Sequence, residues 1–344
     1  MADPESAPSP MIDEAAAVWA AAITARPVRT EPRTAAALRD EVVADLPAID
    51  EAARRWTGLG LDLPATNVRV VGRLGWVRVN LAALRGSFDP LRARLGARRV
   101  PAARVLGAQL GAVLGLLSSK VLGQYVLPLG GPGGGQLVVV GPNVLDLGAE
   151  DGRLAADVRR TVLLHEVTHR LQFDATPWLG PHLRGLVERY LAATRIDAAA
   201  LAEIAPRLPA ALAEARATGE TEPLLRTVLN DEQRRVVDEA QGLMTLLEGH
   251  GNTVMAEAAE GLVGDPEAVR RALARRHGDV TSKILTAVAG LEMKRRQYRE
   301  GEGFVRAVVE AGGVATLNRA FTTPEHLPGR DEIADPAAWL ARVG

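Results

Sequence analysis

The chain has 344 residues, a formal net charge of −1 and no cysteine. Acidic and basic side chains nearly balance, so no overall basic surface for nucleic acid is expected. The absence of cysteine excludes disulfides, cysteine nucleophiles and cysteine metal ligands, so a metal ion would need histidine and carboxylate ligands. It is also typical of a reducing compartment, and we expect a cytoplasmic protein.

The N-terminal part of the chain predicts helices and a short hairpin. Residues 1–11 are rich in proline and serine and predict a disordered tail. An N-terminal lobe is expected over 12–150 because helical patterns recur there around a few strand-like runs. Its predicted elements are helices at 12–25, 33–58, 81–95 and 102–125, a β-hairpin of Val68–Val71 with Trp76–Val79, a Gly/Pro-rich loop at 128–135 and a strand at Leu137–Val140.

Two apolar stretches of this lobe resemble a signal peptide or a membrane-spanning helix, but their sequences favour neither interpretation. Asp13 and Glu14 precede the alanine-rich run at 15–25, where a signal peptide needs basic residues. The run Val105–Leu117 is too short to cross a bilayer. Its glycines recur every fourth residue, at 107, 111 and 115, which predicts a helix that another helix approaches closely.

Long helices dominate the rest of the chain, 151–344, which we interpret as a helical lobe that carries the active site. Helices are expected at 178–196, 197–217, 231–260, 266–276 and 279–312. Three prolines after residue 320 predict a tail that wraps the surface. The predicted fold class is therefore mainly α with a small β-sheet (α+β), arranged as two lobes or as one continuous domain.

Residues His165 to His169 are the strongest functional signal, with the sequence His-Glu-Val-Thr-His. An uninterrupted helical pattern from Asp157 to Phe173 surrounds them. Histidines at i and i+4 lie on one face of a helix and can hold one metal ion. Glu166 between them is the expected general base that takes a proton from a metal-bound water.

A catalytic zinc ion needs a third protein ligand, for which two glutamates compete. Glu188 follows His169 at a spacing seen in gluzincins, but it lies beside Arg184 on the polar face of its predicted helix. Glu248 has no cation within one helical turn and is followed by Gly249 and Gly251, which suggests that another group approaches the backbone there. A metal ion would compensate for the burial of its carboxylate. Glu248 is therefore the favoured ligand.

Two further side chains are candidates for stabilising the negative charge that develops during hydrolysis. His250 comes two residues after Glu248, and Tyr298 lies in a later helix. Either can donate a hydrogen bond to an oxyanion, although each can equally be a packing residue.

Five segments together resemble the actinobacterial zincin-like metallopeptidase family, some members of which are linked to deazaflavin-cofactor biosynthesis. They are His165–Phe173, Pro177–Leu179, Leu246–His250, Gln297–Phe304 and Pro324–Pro328. The resemblance covers most of the chain and implies a zincin-like core, a zinc site and an inferred peptidase activity. It also implies that an edge strand before the motif helix pairs with extended peptide, and Leu137–Val140 is the expected strand.

The sequence thus predicts a zinc metallopeptidase with one Zn²⁺ per chain, bound by His165, His169 and Glu248. Glu166 is the expected base, and the expected substrate is a peptide or a small amide. Neither a nucleic acid nor a membrane is an expected partner. Two alternatives stay open: a non-catalytic binding protein on a zincin scaffold, and a metal-dependent amidohydrolase of a small metabolite.

Overall fold

A computed structural model describes residues 11–26, 28–88, 99–129, 133–147, 152–194, 205–218, 227–277 and 291–343. They form helices and one three-stranded sheet, which confirms the α+β class. Contacts divide the chain into two compact units, Met1–Ala44 with Asn67–Ala149 and Asp45–Thr66 with Glu150–Gly344. Residues 45–66 thus group with the C-terminal part, although the sequence assigned them to the N-terminal lobe. Whether the chain forms two lobes or one continuous domain stays a prediction.

The first unit combines a small mixed sheet with helices. Its helices are α1 (Glu14–Thr24), the start of α2 (Pro32–Thr57), α3 (Arg73–Ala83), α4 (Arg99–Ser118) and α5 (Gly141–Leu147). The strands are β1 (Val68–Val71), β2 (Gly123–Val126) and β3 (Gln136–Val140), in the order β1-β3-β2. β3 pairs in parallel with β1 and antiparallel with β2.

The central position of β3 corrects one prediction. Leu137–Val140 was expected to be an edge strand open to peptide, but both of its edges are paired within the sheet. Its four residues are all buried, as expected for a continuous apolar run in the middle of a sheet. The strand itself is confirmed, and its role as a peptide-binding edge is wrong.

Two other elements of this unit differ from the sequence prediction. Trp76–Val79 is not the second strand of a hairpin but lies in α3, with Gly72 as the residue before the helix. Trp76, Val77 and Leu81 are buried, a spacing that fits one face of a helix. α4 ends at Ser118, seven residues before the predicted end, because Gly123–Val126 pairs with β3 instead. The second half of the predicted helix at 81–95 lies outside the described residues.

The glycine stripe of α4 allows α1 to pack directly on its backbone. A methyl group on Gly107 would overlap the backbone of Asp13, and one on Gly111 would overlap that of Ala17. One on Gly115 would meet Ala21 and the hydroxyl of Thr24. The predicted close helix pair is therefore confirmed, with α1 as the partner.

The second unit is built from helices. They are the end of α2, α6 (Gly152–Asp174), α7 (Leu179–Ala193), α8 (Leu208–Thr218), α9 (Asp231–Glu257), α10 (Pro266–His277), α11 (Leu291–Leu317), α12 (Arg330–Ala334) and α13 (Pro336–Val343). Residues 195–204 and 278–290, which begin two predicted helices, lie outside the described residues. Within the described ranges, no helix has the length and apolar character that a bilayer crossing requires.

The core of this unit centres on α9 and α11. Leu243, Leu246 and Leu247 of α9 pack with Phe304 and other apolar side chains of α11. Trp339 of α13 is completely buried in the same cluster, with its ring 5.4 Å from that of Phe304. The C-terminal segment, which was predicted to wrap the surface, therefore also contributes to the core.

Candidate metal centre

Helix α6 presents the two histidines of the motif side by side. It runs without interruption through the motif, and its apolar side chains Leu163, Leu164 and Val167 are buried. Since residues four apart are neighbours on a helix, the rings of His165 and His169 meet, with centroids 4.5 Å apart. Their Nε2 atoms lie 3.0 Å from each other.

Glu248 of α9 completes a three-residue cluster with these histidines. Its Oε2 atom lies 3.5 Å from Nε2 of His165 and 4.0 Å from Nε2 of His169. Two donors that share a tetrahedral zinc ion are about 3.3 Å apart, since each lies about 2.0–2.1 Å from the ion. The three separations, 3.0, 3.5 and 4.0 Å, lie on either side of this value. Two imidazole nitrogens and a carboxylate oxygen also form the His₂Glu donor set of catalytic zinc sites, so the residues fit the ion.

The two glycines that follow Glu248 are sites of close approach, as the sequence predicted. A methyl group on Gly249 would overlap the carbonyl group of Gly301, where α11 crosses α9. A methyl group on Gly251 would lie 3.0 Å from Cε1 and 3.1 Å from Nδ1 of His165. Gly249 therefore brings two helices together, and Gly251 leaves space for the imidazoles.

Gln172, which sequence reasoning did not select, links the metal centre to α9. Nδ1 of His169 lies 2.8 Å from Oε1 of Gln172. The Gln172 amide nitrogen donates to the carbonyl oxygen of Leu247 at 3.0 Å and lies 2.9 Å from Nδ1 of His250. The signal was its spacing, because a residue three positions after His169 lies next to it on the helix.

His250 lies behind Gln172 and is completely buried. Its ring packs against Trp56 and Phe321, with centroid distances of 5.8 and 5.4 Å. Burial, and to a lesser extent the neighbouring His169, lowers the pKa of His250 from 6.5 to about 3. The imidazole is therefore neutral at physiological pH. Its role as an oxyanion donor stays a prediction. Its contact with Gln172 favours an indirect effect on the orientation of His169.

The other predicted site residues have different surroundings. Glu166 follows His165 on α6 and is 7% exposed. Glu188 is an exposed residue of α7 and does not belong to the cluster that includes Glu248. Tyr298 belongs to α11, but its side chain lies outside the described residues.

The two motif histidines differ in how their second ring nitrogen is held. Nδ1 of His169 is paired with Gln172, whereas the buried Nδ1 of His165 has no hydrogen-bond partner among the described residues. Metal-binding histidines normally donate this second N–H to an acceptor, which fixes the ring. His169 is therefore the more firmly oriented of the two rings.

Comparison with known proteins gives two matches that extend over most of the chain. The sequence profile of the zincin-like metallopeptidase family matches residues 12–340. A crystal structure from Chloroflexus aurantiacus, described as "a putative hydrolase with a novel fold", superposes with a TM-score of 0.69 at 27% identity. That match covers 96% of this chain and 98% of the other. A search of the curated proteins gives no match.

The resemblance inferred from the sequence motifs is thus confirmed at the level of the family, whose name implies a metal-dependent hydrolase. The expected actinobacterial grouping and the deazaflavin link stay predictions. Because the family match extends over nearly the whole chain, the chain belongs to the zincin-like metallopeptidase family.

Proposed function

We propose that the protein is a zinc-dependent peptidase in which His165, His169 and Glu248 bind the ion and Glu166 is the general base. The observation that carries this proposal is the convergence of two Nε2 atoms and one carboxylate oxygen within 4.0 Å of one another. Family membership supports hydrolysis as the reaction, and the family name supports a peptide bond as the target.

A bound zinc ion would supply Lewis acidity, which polarises a carbonyl group and brings the pKa of water towards neutrality. A protein side chain then transfers the proton. The carboxylate of Glu166 takes it from the attacking water and returns it to the leaving amine nitrogen. Low exposure of Glu166 favours this role, because a proton on its carboxylate is shielded from exchange with bulk water.

Metal content is the first test of the ligand set. Mass spectrometry of purified parent protein should find one zinc ion per chain, and Glu248→Ala should lose it because one of three protein donors is gone. Glu188→Ala is the matched control and should keep its zinc, since Glu188 is exposed and outside the cluster. Loss of zinc from the Glu188 variant alone would contradict the assignment.

Activity on a peptide library is the test of the reaction. Glu166→Gln keeps the size of the side chain but removes the base, so it should retain zinc and lose cleavage by about 10²-fold or more. Equal cleavage by parent and variant would reject Glu166 as the base. If the parent with zinc bound cleaves small amides but no peptide, the peptide substrate is wrong and the hydrolase assignment stands.

Tyr298 is one of the two candidates for oxyanion stabilisation. Tyr298→Phe removes only the hydroxyl group, so a lost oxyanion donor should lower kcat by about 10²-fold while KM stays within a few-fold. An unchanged kcat would reject this role.

A further inference from the structure

We propose that Gln172 is a positioning residue that fixes the proton of His169 on Nδ1 and leaves Nε2 free to bind a cation. The amide is itself oriented by α9, through the carbonyl oxygen of Leu247 and Nδ1 of His250. The effect on zinc binding rests on the proposed function, but the assignment of donor and acceptor in each hydrogen bond does not.

The direction of each hydrogen bond follows from Leu247. A backbone carbonyl oxygen can only accept, so the group of Gln172 that faces it at 3.0 Å is the NH₂ group. The amide oxygen then faces Nδ1 of His169 at 2.8 Å, and since this oxygen can only accept, Nδ1 carries the proton. A neutral imidazole has one N–H, so Nε2 of His169 keeps its lone pair.

The same amide assigns the opposite tautomer to His250. Its Nδ1 lies 2.9 Å from the NH₂ group of Gln172 and must accept, which leaves the ring proton on Nε2. In their neutral forms, the two imidazoles are therefore held in opposite tautomers by one amide side chain. Gln172, Leu247 and His250 are buried, and the His169 side chain is 14% exposed, so water has little access to these hydrogen bonds.

His165 shows why this contact matters for the centre. Its Nδ1 faces Gly251 and has no hydrogen-bond partner among the described residues. Of the two imidazoles, only His169 is therefore oriented by a described hydrogen bond at its second nitrogen. Loss of a partner of this kind typically lowers metal affinity 10- to 100-fold.

The metal-free protein is sufficient to determine which atom donates and which accepts in each hydrogen bond. The zinc-free protein is labelled with ¹⁵N-histidine and held at a pH of about 8, above the reference pKa of an imidazole, about 6.5. Two-bond ¹H–¹⁵N spectra should show the Nδ1–H form for His169 and the Nε2–H form for His250. Assignment by single substitution is practical because the chain has 6 histidines. The reverse pattern at either residue would overturn the proposal.

Zinc affinity then separates positioning from packing. Gln172→Leu keeps the volume but removes the acceptor, so the zinc Kd from chelator competition should rise 10- to 100-fold. Gln172→Glu keeps an acceptor towards His169 but loses the donor towards Leu247. It should therefore unfold at a lower temperature and yet bind zinc within about threefold of the parent.

Thr168→Val is the matched control for these variants. Thr168 is completely buried in the same helix, and its hydroxyl donates to the carbonyl oxygen of Leu164 at 2.8 Å. The variant should leave the zinc Kd unchanged. An unchanged Kd in folded Gln172→Leu, or an equal loss in Thr168→Val, would overturn the proposal while the zinc site stands. A parent protein that binds no zinc would instead reject the proposed function. The tautomer spectra would still show which atom donates in each hydrogen bond.

Discussion

Replacement of Gly251 by alanine should separate the stability of the fold from the binding of metal. The new methyl group would lie 3.0 Å and 3.1 Å from two ring atoms of His165 and 3.5 Å from Cε1 of His169. Ordinary carbon contacts are about 3.5–4.0 Å, so the His165 ring must move by roughly 0.4 Å. Metal–ligand distances tolerate only about 0.2 Å, so this shift should disturb the centre.

The expected magnitudes follow from these distances. Glycine in the middle of a helix costs about 1 kcal/mol relative to alanine, and this gain offsets the cost of moving one ring. The free energy of unfolding of zinc-free Gly251→Ala should therefore stay within about 1 kcal/mol of the parent. Zinc affinity should fall at least about tenfold, which corresponds to about 1.4 kcal/mol.

Two other glycines provide controls for this experiment. A methyl group on Gly249 would overlap the backbone of Gly301, and overpacking between two helices costs about 1–3 kcal/mol, so Gly249→Ala should unfold earlier. Gly185 in α7 has open space around a built Cβ, so Gly185→Ala should be neutral or stabilising and keep its zinc affinity.

Thermal unfolding of the zinc-free proteins and chelator competition with zinc would measure both quantities for the three variants. Parent-like zinc affinity in Gly251→Ala would refute the idea that this glycine makes space for the ligands. So would a zinc-free Gly251→Ala protein that is as unstable as Gly249→Ala.

Two further predictions concern stability. Gly111→Ala would drive a methyl group into the backbone of Ala17, so it should lower the unfolding free energy by about 1–3 kcal/mol, while Gly134→Ala, with open space around its Cβ, should not. For His250, the folded pKa of about 3 lies below the unfolded value of 6.5, so the unfolded chain binds the extra proton between these pH values. Its contribution to the stability of the zinc-free protein is therefore complete above pH 6.5 and is lost as the pH falls towards 3, by about 1.4 kcal/mol per pH unit. His250→Gln should lack this dependence in urea titrations, and a variant with the same pH slope as the parent would contradict the assignment.

The sequence was most informative where the relevant spacing is local. Two histidines four residues apart are neighbours on a helix, and α6 (Gly152–Asp174) contains the whole predicted helical run Asp157–Phe173. The glycines beside Glu248 predicted close approach because glycine is costly within a helix, and the structure has such contacts at both positions. The identity of the approaching groups, Gly301 and His165, was not predictable from spacing because they come from other helices.

The errors lie where local patterns are ambiguous or where pairing is distant. Trp76–Val79 is too short for its apolar spacing to distinguish a strand from a helix, and Gly72 and Gly75 suggested a turn. Gly75 is in fact inside α3, where its Cβ position faces Val71. The central place of β3 depends on parallel pairing with β1, whose residues are about 70 positions earlier in the chain. No local spacing encodes that pairing.

Gln172 shows the same limit at the metal centre. Its closeness to His169 follows from helical spacing, but its amide orientation depends on Leu247 and His250, which are 75 and 78 residues away. A glutamine after a metal-binding motif is ordinarily a polar residue of a helix surface. Only the packing of α9 against α6 gives its NH₂ group two buried acceptors, the carbonyl oxygen of Leu247 and Nδ1 of His250.

Helix α9 thus connects the packing of this unit to the geometry of the centre. Gly249 and Gly251 are two residues apart, so they face directions about 200° apart around the helix axis. One direction holds the backbone of α11 and the other holds the imidazoles of α6, and Glu248, three residues before Gly251, contacts the same imidazoles. The distance from the Glu248 carboxylate to the histidines is therefore set by contacts between rigid helices, a precise way to hold ligands. It follows that substitutions on the α11 side of α9 should alter metal affinity as well as stability, although they touch no ligand.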